Sequence, residues 1–230
     1  MIRIISTLFL LSCFAFTSMA QKSSTVAPTK GVCIGNSTVA KYHGGESVAT
    51  LLFTDEEVEA GFSCSSLAVP GHSINQQLEA WKNFKDKGDV DWIIVQIGLN
   101  DLDPSDPLDN TLNRYQKLID TINLMKKSNA KVIIAAMIPC RQRLLNIYKK
   151  GKVSFAKWRL VNNAIIGRGK KIITGVDHRI DGYIPVLGDS NSNLKAEFQT
   201  MNGDHIHENT AGRMVIAGFW RLALAKLKFL

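Results

Sequence analysis

The most restrictive stretch of this sequence is Trp92-Ile93-Ile94-Val95-Gln96-Ile97, set between Asp91 and Gly98. Successive residues of a strand point to opposite faces, so a run that is apolar at nearly every position must be covered on both. That is the environment of an inner strand in a parallel sheet with helices above and below it. The run predicts a strand over 91–98 and, with it, a chain of the α/β class.

The rest of the chain agrees with that class. Short apolar strands are predicted at 31–35, 65–69, 131–138 and 171–176. Helical spacing lies between them. Residues 73–85 put Ile74, Leu78 and Trp81 on one face, and 111–128 do the same with Leu112, Tyr115, Leu118, Ile119, Ile122 and Met125. Further helices are predicted at 154–167 and 211–228. Residues 46–53 read as short helix or turn, 54–62 as an acidic loop and 177–203 as irregular. Strands alternating with helices imply a mainly parallel sheet covered on both faces. At 230 residues the chain is long enough for one domain with its own core, and no repeat or low-complexity segment divides it.

The N-terminus reads as an address. Arg3 precedes an apolar run over 4–16, and Ser18-Met19-Ala20 supplies the small residues of a cleavage site. Residues 1–20 are expected to be a signal peptide cut after Ala20, with 21–30 a polar tether and 31–230 the domain. A second reading takes Leu10-Leu11-Ser12-Cys13 as a lipoprotein box anchored at Cys13, which stands very early for that role. Of the cysteines left after cleavage, Cys33 and Cys64 sit at the edges of the first two strands. They are the pair expected to bridge in an oxidising compartment. Lysine and arginine outnumber the acids by 28 to 20, in scattered positions. The excess reads first as a solvated basic face and second as attraction to an anionic surface such as phospholipid or acidic glycan. No nucleic-acid motif accompanies it, and no segment beyond the N-terminus is apolar enough to cross a membrane.

Sheets of this kind bind ligands at the carboxyl ends of their strands, so chemistry is sought just after each strand. Gly35-Asn36-Ser37 follows the first, where a sharp turn into a helix would lift the hydroxyl clear of the sheet. The same serine is also an ordinary helix cap. Gly71 follows the second strand. It either frees a backbone N–H beside a ligand or simply makes a turn. Asn100, within Gly98-Leu99-Asn100-Asp101, offers a side-chain N–H to an oxyanion or forms an Asx-turn. Before the last helix, Asp204 stands three residues ahead of His207, a spacing that lets a carboxylate orient an imidazole base. His205 and His207 as metal ligands lack a convincing third partner.

In this order the blocks resemble the SGNH hydrolases, the GDSL-like lipase/esterase family, from about Gly31 to Gly212. Gly35-Asn36-Ser37 matches the nucleophile block, Gly71 the second, Gly98-Leu99-Asn100-Asp101 the third, and Asp204-His205-Ile206-His207 the D-x-x-H block. The resemblance implies a flavodoxin-like three-layer α/β/α sandwich and ester hydrolysis without a cofactor or metal. It implies Ser37 as nucleophile, His207 as base and Asp204 as the acid that orients it. The implied oxyanion hole is the Ser37 N–H, the Gly71 N–H and the Asn100 side chain. Family spacing selects His207 over His205, because an extended loop would put both on one face.

The chain also departs from the family. Asn36 stands where an aspartate is usual, as it does in related carbohydrate esterases. Glu208 stands where proline commonly follows the histidine. Gly188-Asp189-Ser190 spells part of the family name but lacks the flanking strand and helix. Asn36-Ser37-Thr38 is a glycosylation sequon, expected to be unmodified because a glycan there would block the site.

The expectation is a secreted or periplasmic serine esterase acting on a small-molecule or glycan ester, with O-acetylated carbohydrate first and a lysophospholipid or short-chain acyl ester second. An acyltransferase and a non-catalytic glycan-binding module of the same fold are the competing readings.

Overall fold

The computed structural model describes residues 26–201 and 203–230. The expected signal peptide, Cys13 and the first part of the tether lie outside the described residues. Five strands form one parallel sheet: β1 (Lys30–Gly35), β2 (Ser63–Ser66), β3 (Trp92–Gln96), β4 (Lys131–Ala135) and β5 (His178–Ile180), in the order β2-β1-β3-β4-β5. The helices are α1 (Asp55–Glu59), α2 (Ile74–Asn83), α3 (Leu108–Met125), α4 (Arg141–Ile147), α5 (Gly151–Ile165), α6 (Ile184–Leu187) and α7 (Thr210–Lys226). The expected α/β fold with a parallel sheet and surrounding helices is therefore the fold observed.

Every residue of β3 is buried, as its apolar run requires. β1 lies against it with Gly31 opposite Trp92 and Gly35 opposite Gln96. A side chain at Gly31 would put its Cβ 2.1 Å from the indole of Trp92, so only glycine admits that ring between the strands. The indole is fully buried and donates to Thr29 Oγ1 at 3.2 Å. Helix α2 begins at a capping box in which the Ser73 hydroxyl accepts from the Gln76 N–H, and it buries Ile74, Leu78 and Trp81. Helix α3 buries Leu112, Tyr115, Leu118, Ile119 and Ile122. Helix α3 packs on α2 and α5, while α7 packs on β5 and α6. Burying each such large side chain contributes roughly 2 kcal/mol.

Several local expectations are corrected. No helix follows Ser37. A single turn closed by Ala40 N–H to Asn36 O at 2.9 Å ends there, and the chain passes into a tight reversal at Tyr42–Gly45. The acidic segment 54–62 holds α1, because Thr54 and Glu57 form a capping box. The final strand is β5 at His178–Ile180 and not 171–176. In that earlier segment Gly175 turns the chain at φ 74°. Side chains of α3 satisfy its backbone: Gln116 pairs with both polar groups of Thr174, and Asn123 donates to Gly175 O. Residues 177–203, expected to be irregular, contain β5 and α6, and α4 was not anticipated at all.

Cys33 and Cys64 are free thiols, and so is Cys140. Register explains why the expected pair is close without being bridged. Cys33 faces Ser66 and Cys64 faces Gly31, so the two cysteines are diagonal neighbours on adjacent strands.

Candidate active site

The carboxyl end of β1 and the loop before α7 meet at Ser37. β1 ends at Gly35, where a Cβ would press on Val39 and on the Gln96 carbonyl. Asn36, 1% exposed, turns its side chain back on the loop, and its Oδ1 accepts from the Thr38 N–H at 3.1 Å and the Thr38 hydroxyl at 3.0 Å. This Asx arrangement gives Asn36 a local structural task that needs no charge. Arg213 of α7 clamps the loop from below. Fully buried, it donates to the carbonyls of Ser37, Ala40, Tyr42, Gly45, Glu46 and Glu208. A buried guanidinium requires acceptors in a fixed fan, and these six carbonyls supply it.

The imidazole comes from a second loop, tied at its base. Gln199 and Glu208 form an antiparallel bridge, the Thr200 N–H donates to His207 O at 2.9 Å, and Asn209 caps α7 through the Gly212 N–H. On this loop His207 Nε2 lies 3.1 Å from Ser37 Oγ. His207 Nδ1 lies 3.0 and 2.8 Å from the two Asp204 oxygens, and the Thr200 hydroxyl donates to Asp204 Oδ2 at 3.0 Å. His205 adopts φ 60°, which breaks the extended geometry that would have set both histidines on one face.

The remaining sequence candidates lie on two neighbouring loops. Gly71 turns the chain after β2 at φ 81°. Asn100 donates through Nδ2 to His72 O at 2.9 Å, which ties its loop to the Gly71 loop. Asp101, 7% exposed, accepts the Ile74 N–H at 3.0 Å at the start of α2. The third block thus braces the second while leaving one N–H of the Asn100 amide for a further acceptor.

Opposing effects set the basicity of His207. Burial holds it below the ordinary imidazole value, Asp204 pulls it up by hydrogen bond and charge, and the neighbouring His43 and Arg143 push it down. Tyr42 and His43 form part of the wall beside the imidazole. The Tyr42 and His207 ring centroids are 4.7 Å apart, and those of His43 and His207 are 5.3 Å apart. His43 is aimed there by a two-residue turn in which it takes φ 47° and Gly44 φ 79°. Behind the base, Glu208 is fully buried with neither carboxylate oxygen hydrogen-bonded among the described residues, and burial pushes its carboxyl up to about 8. Among the described residues no group of three His, Cys, Asp or Glu is placed to hold a metal ion, and no helix is long and apolar enough to cross a membrane.

Sequence reasoning did not find Arg213, Thr200, the Tyr42–His43 wall or the bracing by Asp101. Arg213 left one readable trace, a cation set in the apolar first half of the last helix. The others depend on contacts between distant loops.

The fold and the site together define an α/β protein with a serine, a histidine and an aspartate in hydrogen-bonded series at the carboxyl edge of a parallel sheet. Its solved structural neighbours include proteins described as lipases and esterases. The chain is 14% identical to a GDSL-like lipase from Bacteroides thetaiotaomicron, covering 94% of this chain and 97% of that one with a TM-score of 0.59. It is 13% identical to a lipase/acylhydrolase from Enterococcus faecalis, covering 86% and 96% with a TM-score of 0.59. A family 3 carbohydrate esterase from Clostridium thermocellum is 21% identical, covering 87% and 96% with a TM-score of 0.55. The resemblance to the SGNH hydrolases therefore holds at the level of the fold. No protein-family model matches the chain, and no curated protein matches it in sequence.

Proposed function

We propose that this protein is a serine esterase of the SGNH hydrolase family that removes short acyl groups, foremost acetyl, from carbohydrate. The observation that carries the reading is the 3.1 Å contact of Ser37 Oγ with His207 Nε2, continued through Nδ1 to Asp204. A serine hydroxyl is a poor nucleophile until a base accepts its proton as it attacks.

In the proposed reaction Ser37 Oγ attacks the ester carbonyl and its proton passes to His207 Nε2. Asp204 holds the imidazole by Nδ1 and stabilises the imidazolium. The tetrahedral oxyanion accepts from the Ser37 and Gly71 N–H groups and the free N–H of Asn100. His207 then gives its proton to the leaving alkoxide, and an acyl-Ser37 ester remains. Water attacks that ester with His207 again as base, and the acid departs with Ser37 restored. The neighbours named as a lipase and a carbohydrate esterase support ester hydrolysis. The Gly35-Asn36-Ser37 resemblance to carbohydrate esterases supports a carbohydrate ester, and the Tyr42–His43 wall beside His207 supports a ring-shaped alcohol. The signal peptide expected over 1–20 supports action outside the cytoplasm.

Hydrolysis of p-nitrophenyl acetate, butyrate and octanoate by wild type and Ser37→Ala tests the proposal. Turnover should favour acetate and vanish in the variant, and a fluorophosphonate probe should label wild type alone. A preference for octanoate would move the substrate to lipid. Absence of Ser37-dependent turnover on all three esters would overturn the reading in favour of acyl transfer or binding.

A further inference from the structure

The Asn100 amide is exposed, so beyond its bond to His72 O no packing fixes its aim. Its direction depends on the backbone of the loop over 98–107, which joins β3 to α3. That loop opens with a single 3₁₀ turn, Leu99–Asp101, in which the Asp101 N–H donates to Gly98 O at 3.0 Å.

Two cations on neighbouring helices grip the loop. Lys157 of α5 is 5% exposed. Its ammonium carries three protons, and the loop presents three acceptors to it: Asp103 O at 3.2 Å, Asp106 O at 2.8 Å and Asp106 Oδ2 at 3.1 Å. Among the described residues no hydrogen bond of this amine goes elsewhere. Arg114 of α3 donates to the same Asp106 Oδ2 and lies 3.6 Å from Asp101 Oδ1. The Thr111 hydroxyl stands between the two acids, 3.2 Å from Asp101 O and 3.0 Å from Asp106 Oδ2. Arg114, followed by Lys157, holds the Asp106 carboxyl well below the usual carboxylate range, so the pairing stays ionic.

Taking an ammonium out of water is costly, and apolar contacts would join loop and helix at less expense. What three directed bonds add is a fixed position for the backbone at 103 and 106 relative to α5. Asp101 carries that position toward the site. It is the residue next to Asn100, and its Oδ2 accepts the Ile74 N–H at 3.0 Å, just beyond the Gly71 turn. An oxyanion donor acts only over a narrow range of distance, so a small drift of the loop weakens it.

We infer that Lys157 is a positioning residue of the proposed reaction: with Arg114 it holds the loop over 98–107 in the place that keeps the Asn100 N–H on the developing oxyanion. The inference rests on the oxyanion role proposed for Asn100.

The test replaces Lys157 by Met, which keeps the stem and removes the ammonium, alone and together with Asn100→Ala. Rates on p-nitrophenyl acetate are taken per folded molecule. Lys157→Met should lower kcat about tenfold or more and leave KM within about twofold, because the amine does not touch the substrate. Asn100→Ala should lower kcat about a hundredfold. Adding Lys157→Met to it should cost little more, since the donor being positioned is gone. A folded Lys157→Met protein with wild-type kcat, or a loss that adds in full to that of Asn100→Ala, overturns the inference and leaves Lys157 a staple of the fold. Should Lys157→Met not fold, Asp106→Asn removes the charge from the loop side and is read against the same two outcomes. If Asn100→Ala keeps wild-type kcat, the inference falls while Ser37-dependent hydrolysis stands. Should wild type cleave no ester, amide hydrogen exchange decides the hold on the loop alone. Faster exchange of the Asp101 and Ile74 amides in Lys157→Met, against unchanged amides within α3, supports it, and unchanged exchange at both overturns it.

Discussion

Single side chains carry the proposed chemistry, and His207 is the one whose state pH controls. As a base it works only when neutral, so activity rises with pH as the imidazole loses its proton. Burial holds that ionisation below the ordinary 6.5. The ascending limb of kcat/KM should therefore be centred below that value, as a profile on p-nitrophenyl acetate will read. A limb centred above it would mean that Asp204 outweighs burial. Much at this scale was legible from the chain alone. The three-residue spacing of Asp204 and His207 let a carboxylate reach an imidazole within one loop, and the two do meet at 2.8 Å. The contact of Ser37 with a residue 170 positions away was legible only through family resemblance, since no local spacing encodes it.

At the scale of elements, the loop that presents Ser37 is not held by a helix of its own. It is held by α7, through Arg213. Replacing Arg213 by Gln strips donors from several buried carbonyls together, and breaking a buried charged network costs about 3 kcal/mol. Arg213→Gln should lose stability of that order in urea unfolding, and its remaining folded fraction should be poorly active because Ser37 O is one of the freed carbonyls. Wild-type activity in a stable Arg213→Gln protein would show that the turn is set by Asn36 and Gly35 alone. The elements themselves were read in proportion to their length and periodicity. β3 and α3 announced themselves, having long apolar runs or a repeating face. β5 did not, because its three residues are too few for a pattern and Arg179 stands among them. Helix α4 was missed because only Leu144 of its seven residues is buried.

The whole molecule is where Glu208 matters. It sits unbonded in the core behind His207, with Arg213 the nearby charge that favours its ionised form and Asp204 one that opposes it. An unfolded glutamate gives up its proton near 4.5, whereas the folded protein keeps it to about 8. Between those values unfolding releases a proton, so stability falls as pH rises and stops falling once the folded carboxyl also ionises. A shift of this size is worth up to about 5 kcal/mol. Glu208→Gln, which is neutral at every pH, should match wild type near pH 4.5 and exceed it at pH 8 by urea or thermal unfolding. A wild type whose stability does not decline across that window would mean that Arg213 compensates the charge.

By itself the sequence determined the class of the fold, the inner strand and the loops that carry reactive groups, because periodicity, glycines and short motif spacings act over a few residues. Family spacing pointed to His207, and tertiary structure supplied the physical reason, since the positive φ of His205 breaks the extended geometry that would have set both histidines on one face. It alone decided that Cys33 and Cys64 lie diagonally as free thiols, through the register of β1 on β2.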